Sequence, residues 1–400
     1  MKKLKKLKTK KTIITLLLLL IEVNFGFSQE KVCDCINELD NVSELIKNAK
    51  SYQTQIVKEH KETEFEDWKE IIKHEITNDS LNQAFCTGYL QKYISFIHDR
   101  HNEIYTIPSD ISTFIPNYTK AIDTIKIKSD GISGIYFAGR EKILLINDEK
   151  NTWYGVMVSS DSEKWKERKI RLKLNKLPNG KFELFEFYQN GLLYYQNNIE
   201  VKNSRIYSTF WNKENNYFFN KNHEKNFTYQ SINPSFDYIG IKTLSRTTNL
   251  MKEAENFYNE NLSNLNKENL IIDLRNNGGG ATKQAEALLK YLKKNHSIKR
   301  IYVMINFKTG SSAELITLDL KKDNRTIIVG ENSRGMLKYG YGNKAFSATT
   351  NCAKYKMILS TKIINKDFDK FEYTGIQPDY YLDNKSDWIQ QIIKINNEKI

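Results

Sequence analysis

The stretch NLIIDLRNNGGGATKQAEALLKYLKK, residues 269–294, decides the fold. Its Leu-Ile-Ile core between polar ends has the length and composition of a strand buried on both faces. The Arg-Asn-Asn-Gly-Gly-Gly loop interrupts that run, and Ala, Leu and Tyr then recur at helical spacing to Lys294. Strand, glycine loop and helix in this order open a βαβ unit. The alternation continues outward. Upstream stand DYIGIKTL (237–244) as a strand and KEAENFYNENLSNL (252–265) as a helix; downstream come RIYVMI (300–305), SSAELITLDLKKD (311–323) and RTIIVGE (325–331). This density predicts a largely parallel sheet within residues 233–400, with ligands taken by loops beyond the strand ends.

Two loops fall at such ends: Arg275–Gly280 and Phe307–Ser312. Three consecutive glycines permit a tight turn, and they also expose backbone N–H groups to an oxyanion or a phosphate. No Gly-Lys-Ser/Thr follows and the dinucleotide fingerprint is missing, so nucleotide binding is not indicated. In the second loop, Ser311 and Glu314 have the capping-box spacing. A helix-capping serine and a nucleophilic serine are both compatible with that spacing.

The rest of the chain has a different texture. Residues 29–105 carry apolar positions at helical intervals, with a break at Ile-Thr-Asn-Asp-Ser (76–80). Residues 106–232 read as short strands and tight turns, among them Ile122–Asp130; Pro178-Asn179-Gly180 signals a hairpin. This middle part is expected to be an antiparallel sheet or small barrel. The expected class is α+β multidomain: a helical segment, a β-rich domain and a βαβ domain, in that order.

The first 28 residues are a lysine-rich head, an apolar run and a small-residue exit near Phe27-Ser28-Gln29, the pattern of a secretory signal peptide. No cysteine follows it directly, against a lipoprotein anchor. Its seven lysines and one glutamate supply about half of the formal +13. With that head set aside there is no arginine-rich stripe, so a nucleic-acid partner is not expected. The basic head allows peripheral membrane association. In an exported chain, Cys33 or Cys35 could bridge to Cys86 and tie the helices together, with the connectivity open. The histidines His60 and His74 lack metal-ligand spacing relative to Cys33 and Cys35, so no metal site is expected.

Four pieces occur in a telling order: Asp273-Leu274-Arg275-Asn276-Asn277-Gly278-Gly279-Gly280, Thr309-Gly310-Ser311-Ser312-Ala313-Glu314, Ile328-Val329-Gly330-Glu331 and Gly375-Ile376-Gln377-Pro378-Asp379. Together they resemble the S41 family of serine peptidases, the carboxyl-terminal processing or tail-specific proteases and their tricorn-like relatives. The resemblance covers roughly residues 233–385, with one element near residue 100. It implies a ClpP/crotonase-like βαβ catalytic domain, a peptide or protein substrate, no cofactor, and Ser311 as the nucleophile. It assigns the oxyanion to the amides of Gly279 and Ser312.

The base is where the chain departs from one branch. In the Ser-Lys branch a lysine follows a Gly-Glu-x-x-x-Gly pattern; here Gly330–Gly335 is followed by Met336, with Lys338 two residues on as an alternative base. The supporting glutamine of that branch would fall at Gly340. Asp99-Arg100-His101 is similar instead to the Asp-Gly-His element of tricorn-like members, which makes His101 the general base and leaves His98 outside the motif. Glu372, just before the closing motif, is then expected to orient His101. Asp273 and Arg275 are expected to be architectural. Arg100, in place of glycine, adds charge and bulk beside the base. With Met336, it keeps open a catalytically inactive peptide-binding protein on the same fold.

Overall fold

In the computed structural model, residues 33–107, 115–122, 130–149, 151–216, 218–219, 223–342 and 344–398 are described. All elements named here belong to the unit Cys35–Ile400. The signal-peptide segment and most of the expected strand Ile122–Asp130 lie outside the described residues.

The helical segment comprises α1 (Cys35–Leu45), α2 (Glu62–Asn78) and α3 (Asn82–Ile94). A Cys35–Cys86 disulfide joins α1 to α3, and no cysteine is free. Beyond α3 the chain turns through Asp99–His101 into β1 (Glu103–Thr106). The middle segment forms a six-stranded antiparallel sheet in sequence order: β2 (Gly134–Ala138), β3 (Glu141–Glu149), β4 (Thr152–Ser159), β5 (Ile170–Lys176), β6 (Phe182–Phe187) and β7 (Leu193–Ile199). The Pro178-Asn179-Gly180 turn joins β5 to β6 as expected, with Gly180 at φ +82° and Lys176 opposite Phe182. Helix α3 approaches this sheet closely at Gly88. A Cβ there would sit 2.4 Å from the Phe185 ring, so only glycine permits the contact.

The carboxyl-terminal sheet contains β8 (Phe227–Asn233), β9 (Phe236–Ile241), β10 (Asn269–Asp273), β11 (Arg300–Ile305) and β12 (Thr326–Gly330). The pairings β9–β10, β10–β11 and β11–β12 are parallel, while β8 is antiparallel to β9. Side chains alternate across the strands. Leu270, Ile272, Ile301, Val303 and Ile305 pack with helices α4 (Thr248–Asn261), α5 (Glu286–Lys294) and α6 (Ser312–Lys321). Ile271, Tyr302, Met304 and Val329 pack on the other face with Trp388 and Ile392 of α7 (Trp388–Asn397). Both faces are covered, which is why these strands read as continuous apolar runs rather than as alternating ones. Truncating one such residue, for example Ile272→Ala, costs about 2–5 kcal/mol.

A third sheet brings distant segments together. After β13 (Phe346–Thr349), strand β14 (Tyr355–Leu359) pairs antiparallel with both β13 and β1, in the register Glu103↔Ile358. The turn before β1 is thereby carried to the carboxyl-terminal sheet.

Candidate active site

The two loops singled out in the sequence leave neighbouring parallel strands, β10 and β11, at their carboxyl ends, and they are bonded to each other. The Asn276 N–H donates to Asn306 Oδ1 (3.0 Å), and Asn306 Nδ2 donates to Asn276 Oδ1 (2.9 Å). The Gly310 N–H donates to Asn277 O (2.9 Å), and the Ser312 hydroxyl donates to Gly280 O (2.6 Å). Beneath them Asp273 is fully buried. The Arg275 side chain donates to both of its oxygens, at 3.0 Å to Oδ1 and at 3.2 and 2.7 Å to Oδ2, and the Tyr238 hydroxyl donates to Oδ2 at 3.0 Å. Burial alone would raise the Asp273 pKa, but Arg275 outweighs it and holds the carboxylate below its ordinary value. Both residues are architectural.

Ser311 occupies a sharp strand-to-helix turn at φ +52°, ψ −119°, a conformation costly for a residue with a Cβ. It is held there by Glu314. The glutamate half of the capping box forms, with the Ser311 N–H donating to Glu314 Oε2 at 2.8 Å. The same fully buried carboxylate accepts from the Met336 and Gly335 N–H groups (2.9 and 2.7 Å) and from the Ser333 hydroxyl (2.5 Å). Glu314 therefore does more than cap α6: it fixes the segment Ser333–Met336 beside the serine. Met336 is buried, with its sulfur 3.4 Å from where a Cβ on Gly310 would stand.

The Ser311 hydroxyl faces His101. The Oγ···Nε2 distance is 3.1 Å, across 210 residues of sequence. His101 is 3 % exposed and packs edge-on against Tyr341. Burial, with the cation of Arg334 adding to it, pushes its pKa down to about 4, so the ring is neutral at ordinary pH. Its Nδ1 is buried without a hydrogen-bond partner. The nearest carboxylate is that of Asp99, with Oδ1 3.8 Å away. Asp99 Oδ1 accepts the His101 backbone N–H (2.9 Å), and its other oxygen accepts from the Ser360 hydroxyl. Asn102 and Ser51 complete that buried network: Ser360 N–H donates to Asn102 Oδ1 (3.1 Å), and Asn102 Nδ2 to Ser51 Oγ (2.9 Å). Burial pushes the Asp99 pKa up to about 7.

Three sequence expectations need correction. Glu372 does not orient the His101 ring. Its Oε1 accepts the Arg100 N–H (3.0 Å), and its Oε2 accepts those of Leu337 and Lys338 (3.0 and 2.9 Å). It secures the backbone on either side of the histidine through these three amides. Lys338 is engaged elsewhere, with Asp369. Burial opposes its charge, but the ion pair with Asp369 outweighs this and leaves its pKa above the ordinary lysine value. The Gly279 N–H, expected to serve an oxyanion, donates to Asn277 Oδ1 at 3.0 Å. What Gly279 provides is space: at φ +96°, a Cβ there would lie 2.7 Å from Ser312 N and 2.9 Å from Ser311 Cβ. The Ser312 N–H, first in α6, has no carbonyl within the helix to bond and opens onto that space.

A cleft of about 1800 Å³ runs alongside the pair. Its wall includes Arg100 next to His101, Gly278 next to Gly279, and Arg334, and it does not include Ser311 or His101 themselves. Sequence reasoning missed Asp99 as the carboxylate nearest the imidazole. The signal was present in the Asp-x-His spacing, which places an aspartate two residues before the ring it can reach.

The sequence model of peptidase family S41 matches residues 236–300, from β9 through the glycine loop to the start of β11. The chain carries an S41 peptidase domain. That match makes it a serine-type peptidase. No curated protein matches the chain. Among solved structures, mature CPAF complexed with lactacystin is similar at 12 % identity over 91 % of this chain and 98 % of that one, with a TM-score of 0.43. The tricorn protease is similar at 13 % identity over 91 % of this chain and 37 % of that one, with a TM-score of 0.42. For the photosystem II D1 C-terminal processing protease the identity is 13 %, the coverage 91 % and 97 %, and the TM-score 0.34.

Proposed function

We propose that the S41 domain hydrolyses peptide bonds by a Ser-His mechanism of the tricorn-like kind, on a ClpP/crotonase-like βαβ scaffold. The observation that carries this is the 3.1 Å approach of His101 Nε2 to Ser311 Oγ. A neutral imidazole with Nε2 free to accept takes the Ser311 proton as Oγ adds to the substrate carbonyl carbon. The oxyanion forms in the space kept open by Gly279, where the Ser312 N–H and the positive end of α6 meet it. Collapse of the tetrahedral species expels the amine, which leaves with the proton held by His101, and an acyl-Ser311 ester remains. Water then repeats the sequence and releases the acid. During each step the imidazolium proton on Nδ1 points toward Asp99, in the place first expected for Glu372.

Export belongs to the same reading. It is supported by the signal-peptide pattern of residues 1–28 and by cysteines that are all disulfide-bonded, the state favoured in oxidising compartments. Peripheral contact of the basic head with a membrane is compatible with it.

The test is covalent and kinetic. A peptidyl phosphonate should add one adduct per chain at Ser311, read by intact mass and peptide mapping, and Ser311→Ala should abolish both labelling and hydrolysis. Saturable peptide binding with neither labelling nor turnover in the wild type would instead establish the inactive peptide-binding alternative.

A further inference from the structure

We propose that the amino-terminal helical segment completes the active site: Ser51 and Ser360 are positioning residues that present hydroxyl protons to Asp99 and keep its carboxylate an acceptor beside His101. This rests on the Ser-His reading and assigns what controls it.

Two stretches far apart in sequence meet around Asp99. Asn102 immediately precedes β1, Ser360 immediately follows β14, and the pairing of those strands sets one against the other. The Ser360 N–H donates to Asn102 Oδ1 at 3.1 Å. That bond fixes which end of the Asn102 amide is oxygen, so the nitrogen end meets Ser51 Oγ, at 2.9 Å. An amide nitrogen only donates. Ser51 Oγ therefore accepts from Asn102, and its own proton is left for Ser360 Oγ, 3.5 Å away, or for Asp99, on which the Ser51 hydroxyl also acts. The Ser360 hydroxyl in turn donates to Asp99 Oδ2. The donors of this chain all lead toward the carboxylate.

The segment that brings Ser51 grips the same turn at a second point. The Lys50 N–H donates to Ser360 O at 2.9 Å. Gln55, on a π-helical turn over Gln53–Val57, bonds the His98 backbone in both directions: its Nε2 donates to His98 O at 3.1 Å, and its Oε1 accepts the His98 N–H at 2.9 Å. Such π turns are rare and recur at functional sites. The residues bonded by Gln55 and Ser51, His98 and Asn102, flank the Asp99–His101 turn on its two sides. Ser51, Ser360 and Asp99 are buried, so solvent does not replace either hydroxyl.

A carboxylate desolvated to this degree takes up a proton unless donors oppose it. Burial is the largest influence on Asp99. The Ser360 hydroxyl opposes it, the charge of Glu372 adds to it, and the Ser51 hydroxyl and the His101 N–H oppose it again; the balance lies at about 7. The other ionisable groups facing Asp99 are His101, neutral at that pH, and Tyr341 and Tyr373, which keep their protons. The two hydroxyls thus set the pH above which an anion stands ready for the imidazolium.

The experiment places Ser360→Ala and Ser51→Ala in the full chain, in the wild-type and Asp99→Asn backgrounds. Both substitutions leave the backbone bonds of residue 360 to Asn102 and Lys50 in place. Two readouts are taken: the pH profile of kcat/KM, and the titration of the Asp99 carboxyl by 13C NMR, identified by its loss in Asp99→Asn. In Ser360→Ala the acid limb and the carboxyl titration should both move up by about one pH unit, the scale of one hydrogen bond to a charged group. Ser51→Ala should move them in the same direction by less. In the Asp99→Asn background, Ser360→Ala should change kcat by less than about threefold, because the group it acts through is gone. A titration unmoved in both variants, or an equal loss of kcat in both backgrounds, overturns the proposal. Where Ser360→Ala does not fold, Ser51→Ala decides alone, and an unmoved titration overturns it. The two readings separate cleanly. A moved carboxyl titration in a protein without turnover counts against the peptidase mechanism alone, and turnover with an unmoved titration counts against this proposal alone.

Discussion

His101 Nδ1 lies 3.8 Å from Asp99 Oδ1, in a pocket where both groups are almost wholly buried and the imidazole nitrogen has no bonded partner. Protonation of the ring is opposed down to about pH 4, while Asp99 retains its proton up to about pH 7. Between those values the pair holds one proton, on the carboxyl side. Only above about 7 does an anionic Asp99 stand beside a neutral His101, the combination best suited to support an imidazolium.

Activity should therefore rise as pH increases through about 7 and stay high above it, rather than follow an ordinary histidine near 6.5. Asp99→Asn preserves an acceptor for the His101 amide and a partner for Ser360, but it removes the ionisation. The expected result is a kcat lowered about tenfold or more and an acid limb no longer centred near 7. The profile of kcat/KM against pH checks this; an unchanged acid limb in Asp99→Asn excludes the assignment.

Lys338 and Glu372 separate chemistry from architecture. Lys338→Met should leave kcat/KM within about threefold of wild type, because its ammonium is engaged with Asp369 and stays charged. A complete loss of activity with the fold intact would restore lysine as the base. Glu372→Gln places an amide donor against buried N–H groups and should destabilise the protein by about 1–3 kcal/mol. Urea unfolding measures it.

Gly279→Ala tests the space in front of the Ser312 amide. The added Cβ meets Gly310 O and Ser312 N at 2.7 Å, both backbone atoms that cannot swing away. The expected outcome is a kcat reduced by about 10²-fold, the scale of losing one oxyanion donor, with slower phosphonate labelling of Ser311. Wild-type kcat in this variant would mean that the oxyanion is stabilised elsewhere.

The Cys35–Cys86 bridge closes a segment of 51 residues around α1, α2 and α3. Cys35→Ser/Cys86→Ser should lower stability by up to about 4 kcal/mol, on the loop-entropy scale. Thermal melts of wild type and variant under non-reducing conditions would show it; equal melting temperatures would show that packing alone holds these helices.

Much of the carboxyl-terminal half was legible from residues 233–331. A strand buried on both faces must be apolar throughout, and a parallel crossover must be helical, so Leu270–Ile272, Val303–Ile305 and their helices declare themselves locally. The glycine loop and Ser311 were equally readable, because a sharp turn and an open approach restrict which residues can stand there. The Asn-Gly hairpin at 178–180 carried its own signal as well.

The partners of these residues were not. Whether Glu372 or Asp99 faces the imidazole depends on which donors surround each carboxylate. Those donors are backbone amides from residues 100, 337 and 338, brought together by β1 pairing with β14. The same holds for Lys338, paired with Asp369, and for the Gly279 amide, turned toward Asn277. Local sequence determined the strands, the loops and the serine. The environment of each charged group was decided by contacts across two hundred residues, because pKa and hydrogen bonding depend on what lies within a few ångströms in space.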